Sequence, residues 1–221
     1  MIPAINGDMP MQTAASVTLN SRLSSPPRAR REAHIRPVSF YAPDCVIYAQ
    51  GERTRSLYQI EYGAVRIYRL LADGRRQIVA FHLVGETFGF EINETQSFYA
   101  EAMVNTGLTT VERAANGQLN DHLVGAALKS MIRAQEHLLV VGRQSALEKI
   151  AVFLIDLADR QDGTDLIDLP MSRIDIGDYL GLTIETVSRS ISKLRNMGIV
   201  KLQNARSIEI LKPEKLRMLC N

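Results

Sequence analysis

Cysteine is scarce in this chain: Cys45 and Cys220 are the only two in 221 residues. They form no Cys-x-x-Cys pair and are too few for a four-thiolate iron–sulfur or zinc site within one chain, so no metal or cofactor is expected from them. They read as reduced thiols without special chemistry. Long apolar runs are also missing. None approaches the roughly 20 residues that a membrane helix needs. The opening stretch, Met1 to Met9, lacks the basic start and apolar segment of a signal peptide. The expectation is a soluble, cytoplasmic chain with no membrane partner. Charge of one sign is not in excess either, with a formal net charge of +2, and 46% apolar residues exclude wholesale disorder. The length suffices for one large domain or two compact ones, each with its own core.

The charge is unevenly spread. Residues 172–221 carry nine Lys/Arg against five Asp/Glu, whereas residues 40–115 carry seven against nine. A basic C-terminal piece behind a mildly acidic one fits a nucleic-acid-binding end attached to something else.

Four regions follow from the pattern. Residues 1–33 are poor in large apolar groups and contain Ser24-Ser25-Pro26-Pro27 and Arg28-Ala29-Arg30-Arg31. They read as a flexible arm, solvated, with contact to DNA phosphates as the alternative; Met9 and Met11 are also candidate starts. Residues 34–116 have the texture of β-structure, with short apolar runs split by turn signals such as Pro43-Asp44, Tyr62-Gly63, Asp73-Gly74 and Gly85-Glu86. Val65–Leu70, alternating apolar with polar, and Gln77–Phe81 form a hairpin across Ala72-Asp73-Gly74. A small antiparallel roll is expected.

The period then changes. Residues 117–145 contain no proline, and Val124, Ala127, Met131, Ala134, Leu138 and Val141 follow the spacing of a helix-pairing stripe. A second set, Leu123, Leu128, Ile132 and Leu139, gives another apolar flank. The expectation is one face on the roll and one on a partner, a parallel homodimer; burial against its own domain is the alternative. A further helix is expected over 146–160.

Residues 146–221 read as a DNA-binding domain, with a helix–turn–helix over about 172–196. Ser172 and Asp175 have the form of a cap, Gly181 suits a left-handed turn, and Thr183 can cap the next helix. Val187, Ile191 and Leu194 form a buried stripe on that helix, leaving Glu185, Ser188, Arg189 and Ser192 together on the opposite side. Ile199–Leu202 and Arg206–Ile210 then make a hairpin, the wing of a winged helix. In the major groove an arginine can grip guanine O6/N7 with two bonds and a carboxylate can accept from a cytosine amino group. Glu185, Ser188 and Arg189 are therefore the candidate base readers. Arg173, Thr183, Thr186, Lys193, Arg195, Lys201 and Arg206 are the candidate phosphate contacts. A bland alternative for Glu185 and Arg189 is an i,i+4 surface pair worth a few tenths of a kcal/mol. The glycine turn, the buried stripe, the hairpin and the basic balance together favour base reading.

The segment Arg173-x-Asp175-Ile-Gly-Asp-Tyr-Leu-Gly-Leu-Thr183-x-Glu185-Thr-Val-Ser188-Arg189 resembles the recognition segment of the FNR/FixK branch of the CRP/FNR transcription regulators. Gly63-Ala-Val-Arg-Ile-Tyr, Asp73-Gly-Arg-Arg-Gln-Ile, Gly85-Glu-Thr-Phe-Gly and Gln144-Ser-Ala-Leu-Glu-Lys-Ile-Ala are similar to that branch too, so the resemblance spans about residues 38–218. It implies an α+β fold: an N-terminal cyclic-nucleotide-binding-like antiparallel β-roll, a long dimerisation helix and a C-terminal winged helix-turn-helix. It further implies a non-enzymatic regulator that works with RNA polymerase on a palindromic duplex of the TTGAT-N4-ATCAA type. By that resemblance Glu185 faces the cytosine paired to the half-site guanine, Arg189 takes the guanine, and Ser188 faces thymine.

Departures from the family bear on the effector. Cyclic-AMP-binding members hold the phosphate with an Arg-Ser pair after the Gly-Glu motif; here the aligned pair is Gln96-Ser97, and no Lys or Arg lies between Arg76 and Arg113. Cyclic nucleotide is not expected. The four cysteines of oxygen-sensing members are absent, and Ser172 stands where some FixK relatives carry a redox-sensitive cysteine. His34, His82, His122 and His137 leave haem as an alternative. The resemblance thus implies an activator without its own sensor, serving low-oxygen respiration and nitrogen fixation. The alternatives are a regulator with a small-molecule or haem effector in the roll, repression rather than activation, and, more remotely, a cupin-like enzyme.

Overall fold

Chain order in the computed structural model, which describes residues 37–54, 56–111, 120–143 and 145–220, begins with eight short strands. These are β1 (Val38–Tyr41), β2 (Val46–Tyr48), β3 (Leu57–Tyr62), β4 (Val65–Leu70), β5 (Arg76–His82), β6 (Thr87–Phe88), β7 (Tyr99–Ala102) and β8 (Thr106–Val111). They form two antiparallel sheets, in the orders β1-β8-β3-β6 and β2-β7-β4-β5. Between the sheets lies a core of Tyr48, Ile60, Val65, Ile67, Phe88, Ala100 and Leu108. This is the antiparallel roll that the spacing of turn signals predicts. Gly63 shows why a glycine is needed at one of those turns. Its φ is +88°, and a Cβ there would sit 2.5 Å from the Asn105 carbonyl oxygen. The arm, residues 1–33, with its arginines and candidate starts, lies outside the described residues.

Helix α1 (Asp121–Val141) follows, capped by the Asn120 side chain, which accepts from the Leu123 amide. Its burial corrects one expectation. Of the second apolar flank only Leu123 is buried, against Leu57 and Val111 at one end of the roll. Leu128, Ile132 and Leu139 remain exposed, because α1 meets the roll through Leu123 and the polar Arg133 rather than through this apolar flank. Helix α2 (Ala146–Arg160) matches its predicted bounds and buries Ile150, Phe153, Leu154 and Leu157.

The remainder comprises β9 (Leu166–Asp168), α3 (Arg173–Leu180), α4 (Ile184–Asn196), β10 (Val200–Asn204), β11 (Ser207–Ile210) and α5 (Pro213–Met218). The predicted hairpin is β10–β11, widened into a three-stranded sheet by β9, which pairs with β11. Neither β9 nor α5 was anticipated: each is too short to show a period, and each is held by a single buried residue, Ile167 or Leu216.

One core runs from the outer face of the roll into the C-terminal helices, joining Tyr68, Ile78, Phe81 and Leu83 to Leu154, Ile176, Leu180, Val187, Ile191 and Leu194. This explains why β4, read as alternating, is buried at Val65, Arg66, Ile67 and Tyr68 in succession: both faces of that strand are covered. Tyr179 of α3 seals the junction, stacked on His137 of α1 at 3.8 Å and 4.9 Å from Phe81 of β5 between ring centroids.

A second junction is ionic. The Glu86 carboxylate accepts two bonds from Arg160 of α2, at 3.1 Å each, and pairs with Arg133 of α1 at 2.8 Å and with His82 Nδ1 at 3.2 Å. Burial opposes this charge, but the His82 hydrogen bond and the charges of Arg160, His82 and Arg133 outweigh it and hold the Glu86 carboxyl at about 2. The stabilisation is therefore complete above the ordinary carboxylate value of 4.5 and is lost as pH falls toward about 2. Glu86→Gln should cost about 2–4 kcal/mol at neutral pH. In urea titrations across pH the gap between variant and wild type should close below pH ~4; a gap independent of pH would mean the charge is not what matters.

Candidate nucleic-acid interface

Helix α3 begins at a capping box. The Ser172 hydroxyl accepts from the Asp175 amide at 3.1 Å, and the Asp175 carboxylate accepts from the Ser172 amide at 2.9 Å. The helix ends on Gly181, whose φ of +66° turns the chain at once into the next helix. Gly177 lets that turn fold back closely: a Cβ on it would lie 2.6 Å from the Leu182 carbonyl oxygen. Thr183 then caps α4, its hydroxyl accepting from the Thr186 amide at 3.3 Å. The Lys149 ammonium of α2 donates to the Leu180 carbonyl at 3.3 Å, satisfying the end of α3.

Helix α4 is amphipathic as its sequence dictates. Val187, Ile191 and Leu194 are buried, and Glu185, Ser188 and Arg189 stand exposed on the other side, with Ser192 half-buried beside them. A shallow groove along this side is lined by Ser188, Arg189, Ser192, Lys193, Asn196 and Met197. The carboxyl of Glu185 is lowered below its ordinary value by its own backbone amide first, then by the Thr183 hydroxyl and the charge of Arg189. It is thus ionised and acceptor-only at neutral pH. No ion pair or hydrogen bond of Arg189 is seen among the described residues, and its charge acts on Glu185 only at longer range, as a weak i,i+4 interaction.

The candidate phosphate contacts fall in three places. Thr183 and Thr186 sit at the N-terminus of α4, their hydroxyls 3.1 Å apart. Lys193 and Arg195 occupy its last turns, and Lys201 and Arg206 project from the wing, where all four are exposed. Arg173 differs. It is half-buried, burial lowers its pKa, and its Nη1 is enclosed without a partner among the described residues. A phosphate contact there requires the side chain to swing outward. Missed by sequence reasoning were Gly177, Lys149 and the reach of Asp175 beyond its own helix. Only the first carried a signal, a glycine inside a helical pattern.

A β-roll joined to a helix–turn–helix with a wing defines a DNA-binding protein of the CRP type. Residues 38–120 match the cyclic nucleotide-binding domain family and residues 148–219 the Crp-like helix-turn-helix domain family. The nitrogen fixation regulation protein FixK of Rhizobium meliloti is 55% identical over 186 residues, 84% of this chain and 88% of that protein. FixK of Azorhizobium caulinodans is 38% identical over 191 residues, 81% of this chain and 77% of its own. The solved structure of FixK2 from Bradyrhizobium japonicum superposes with a TM-score of 0.79 at 40% identity, covering 85% of this chain and 98% of that one. The chain belongs to the CRP/FNR family of DNA-binding transcription regulators, in its FixK group.

The close approach at Gly177 yields a direct test. Gly177→Ala should displace the turn between α3 and α4 and cost about 1–3 kcal/mol. Chemical denaturation measures the loss, and an unchanged midpoint would show that the Leu182 carbonyl can move aside freely.

Proposed function

We propose that this protein is a homodimeric transcription activator that reads a TTGAT-N4-ATCAA-type palindrome and needs neither cyclic nucleotide nor an iron–sulfur cluster to do so. The observation that carries the reading is α4 itself: a capped, rigidly backed helix that presents Glu185, Ser188 and Arg189 to solvent. An ionised Glu185 suits a cytosine amino group, an exposed Arg189 suits guanine O6/N7, and the short Ser188 permits close approach to thymine. Thr183, Thr186, Lys193, Arg195, Lys201 and Arg206 flank these readers and serve the phosphates.

Dimerisation is supported by α1. Met131 is 52% exposed, Leu138 71% and Leu139 73%, and Val124 and Val141 are exposed on the same helix with Ala134, while Ala127 is half-buried. A continuous apolar stripe of that size on a 21-residue helix calls for a partner helix. A second copy pairing through Val124, Ala127, Met131, Ala134, Leu138 and Val141 supplies one, and two α4 helices then match a two-fold palindrome.

The residues of the roll do not fit a cyclic nucleotide. Glu86 is already saturated by Arg160, Arg133 and His82. Gln96 is buried where a guanidinium would be wanted, and residues 77–112 contain no Lys or Arg to meet a phosphodiester. His82 is engaged by Glu86 through Nδ1, whereas His137 stacks on Tyr179 and keeps its buried Nδ1 without a partner among the described residues, so His137 is the histidine that a haem reading would have to use. The FixK relatives are named nitrogen fixation regulation proteins, which makes nitrogen-fixation genes the proposed targets; genes of low-oxygen respiration and RNA polymerase as partner complete the proposal.

Fluorescence anisotropy of the ligand-free protein under air, on the palindromic duplex and on one with the half-site guanine replaced, tests the reading at fixed salt. Specific binding without a ligand is expected; weak binding that ignores the guanine overturns it. Arg189→Ala should cost about 1–3 kcal/mol and relax preference at the guanine. In sedimentation, Met131→Glu combined with Leu138→Glu should give monomers, and a persistent dimer would place the interface elsewhere.

A further inference from the structure

The outer face of sheet β2-β7-β4-β5 holds the most heavily buried charge cluster among the described residues, and the base-reading reading above leaves it unused. Arg66 of β4 is 8% exposed. Its Nη1 donates to both oxygens of Asp175, at 3.2 and 3.3 Å, and its Nη2 to Asp44 at 2.7 Å and to Glu101 of β7. Arg76 of β5 donates from Nη2 to Asp175 at 2.6 Å, and from Nε and Nη2 to Asp178 at 3.1 and 2.9 Å. Gln77 of β5 adds a bond to the Asp178 carbonyl at 2.7 Å. Tyr68 completes the framework: its hydroxyl donates to Glu101 at 2.9 Å, and its ring lies 5.6 Å from the Arg76 guanidinium.

Asp175 and Asp178 both belong to α3, the helix on which α4 rests. Asp175, 2% exposed, is also the residue that closes the capping box of that helix with Ser172. The roll therefore grips α3 by the carboxylate that starts it. A planar guanidinium that bridges carboxylates on different elements has narrow angular tolerance, so it fixes orientation as well as distance.

We infer that Arg66 and Arg76 are positioning residues for operator recognition: by locking α3 to the roll, they set the separation and tilt of the two recognition helices in the dimer and so the spacing of half-sites the protein accepts. The inference rests on the dimeric, palindrome-reading function proposed above. The geometry is demanding. One base pair added between half-sites moves them apart by about 3.4 Å and rotates one relative to the other by about 35°. A helix–turn–helix free to rock on the α1–α2 junction could follow such a change, whereas one clamped through α3 cannot.

The experiment uses the full-length protein with two variants. Arg76→Gln removes three contacts to α3 but leaves Asp175 paired with Arg66 and Ser172, so no buried charge is stranded. Arg66→Lys keeps the charge and loses the planar bridge between Asp175 on one nitrogen and Asp44 and Glu101 on the other. Circular dichroism melts establish folding. Anisotropy is then read on duplexes with N3, N4 and N5 spacers and on the N4 duplex with its guanine replaced. Wild type should prefer one spacer, and in the variants that preference should fall by about fivefold or more, the low end of coupling through such networks. Discrimination at the guanine, which Arg189 makes, should stay unchanged. Folded variants that keep the full spacer preference overturn the inference, as do variants that lose spacer and guanine discrimination in parallel, since that is general weakening. The parent reading is judged on wild type alone: if wild type ignores both spacer and guanine, the palindrome-reading dimer fails and the positioning role falls with it.

Discussion

The Asp175 carboxylate is shared between local and long-range structure, and much of the molecule is arranged around it. Within α3 it closes the capping box with Ser172; across the junction it receives Arg66 and Arg76 from the roll. An ion pair this deeply enclosed gains little net free energy, because both partners surrender their hydration. Its value lies in geometry. Removing one partner leaves a buried charge, so the sheet and the helix must keep their relation or both lose solvation. That cost makes the outer face of β4 and β7 an interior surface, with Glu101 and Tyr68 arranged to complete the shell.

Two further contacts bring α1 and α2 into the same frame. Glu86 gathers Arg133 and Arg160, and Tyr179 stacks on His137. The apolar core runs beneath all three, from Ile78 and Phe81 of the roll to Ile191 and Leu194 under the reading helix. The result is a helix–turn–helix held from behind by packing, from one side by arginines and at its turn by Gly177. The DNA-facing side is thereby left with side chains that have little to do inside the protein. Glu86 also illustrates how a family fold changes use. In a roll that matches the cyclic nucleotide-binding domain family, its carboxylate is an internal anchor that links α1, α2 and β5.

Much of the helix–turn–helix was legible in the sequence because its signals are local. Ser172, Gly181, Thr183 and the stripe of Val187, Ile191 and Leu194 each act within a few residues, through hydrogen bonds and periodicity that any helix–turn–helix must satisfy. The bounds of α2 and α4 and the pairing of β4 with β5 followed for the same reason. The helix-pairing stripe of α1 was legible too, as a spacing. Its second flank was misjudged because periodicity says which residues share a face and not what lies opposite them.

The sequence by itself thus determined the order of the main elements, the family and which side chains α4 turns away from its buried stripe, since each is written in neighbouring residues. Only the tertiary structure decided that Arg66, set in an alternating strand, would be buried, that Asp175 would face two arginines about a hundred residues away in sequence, and that Glu86 would be spent on Arg133 and Arg160. Those outcomes depend on which surfaces meet when the roll and the C-terminal helices close on each other. A charged residue carries no mark of whether its partner will be water or a distant side chain.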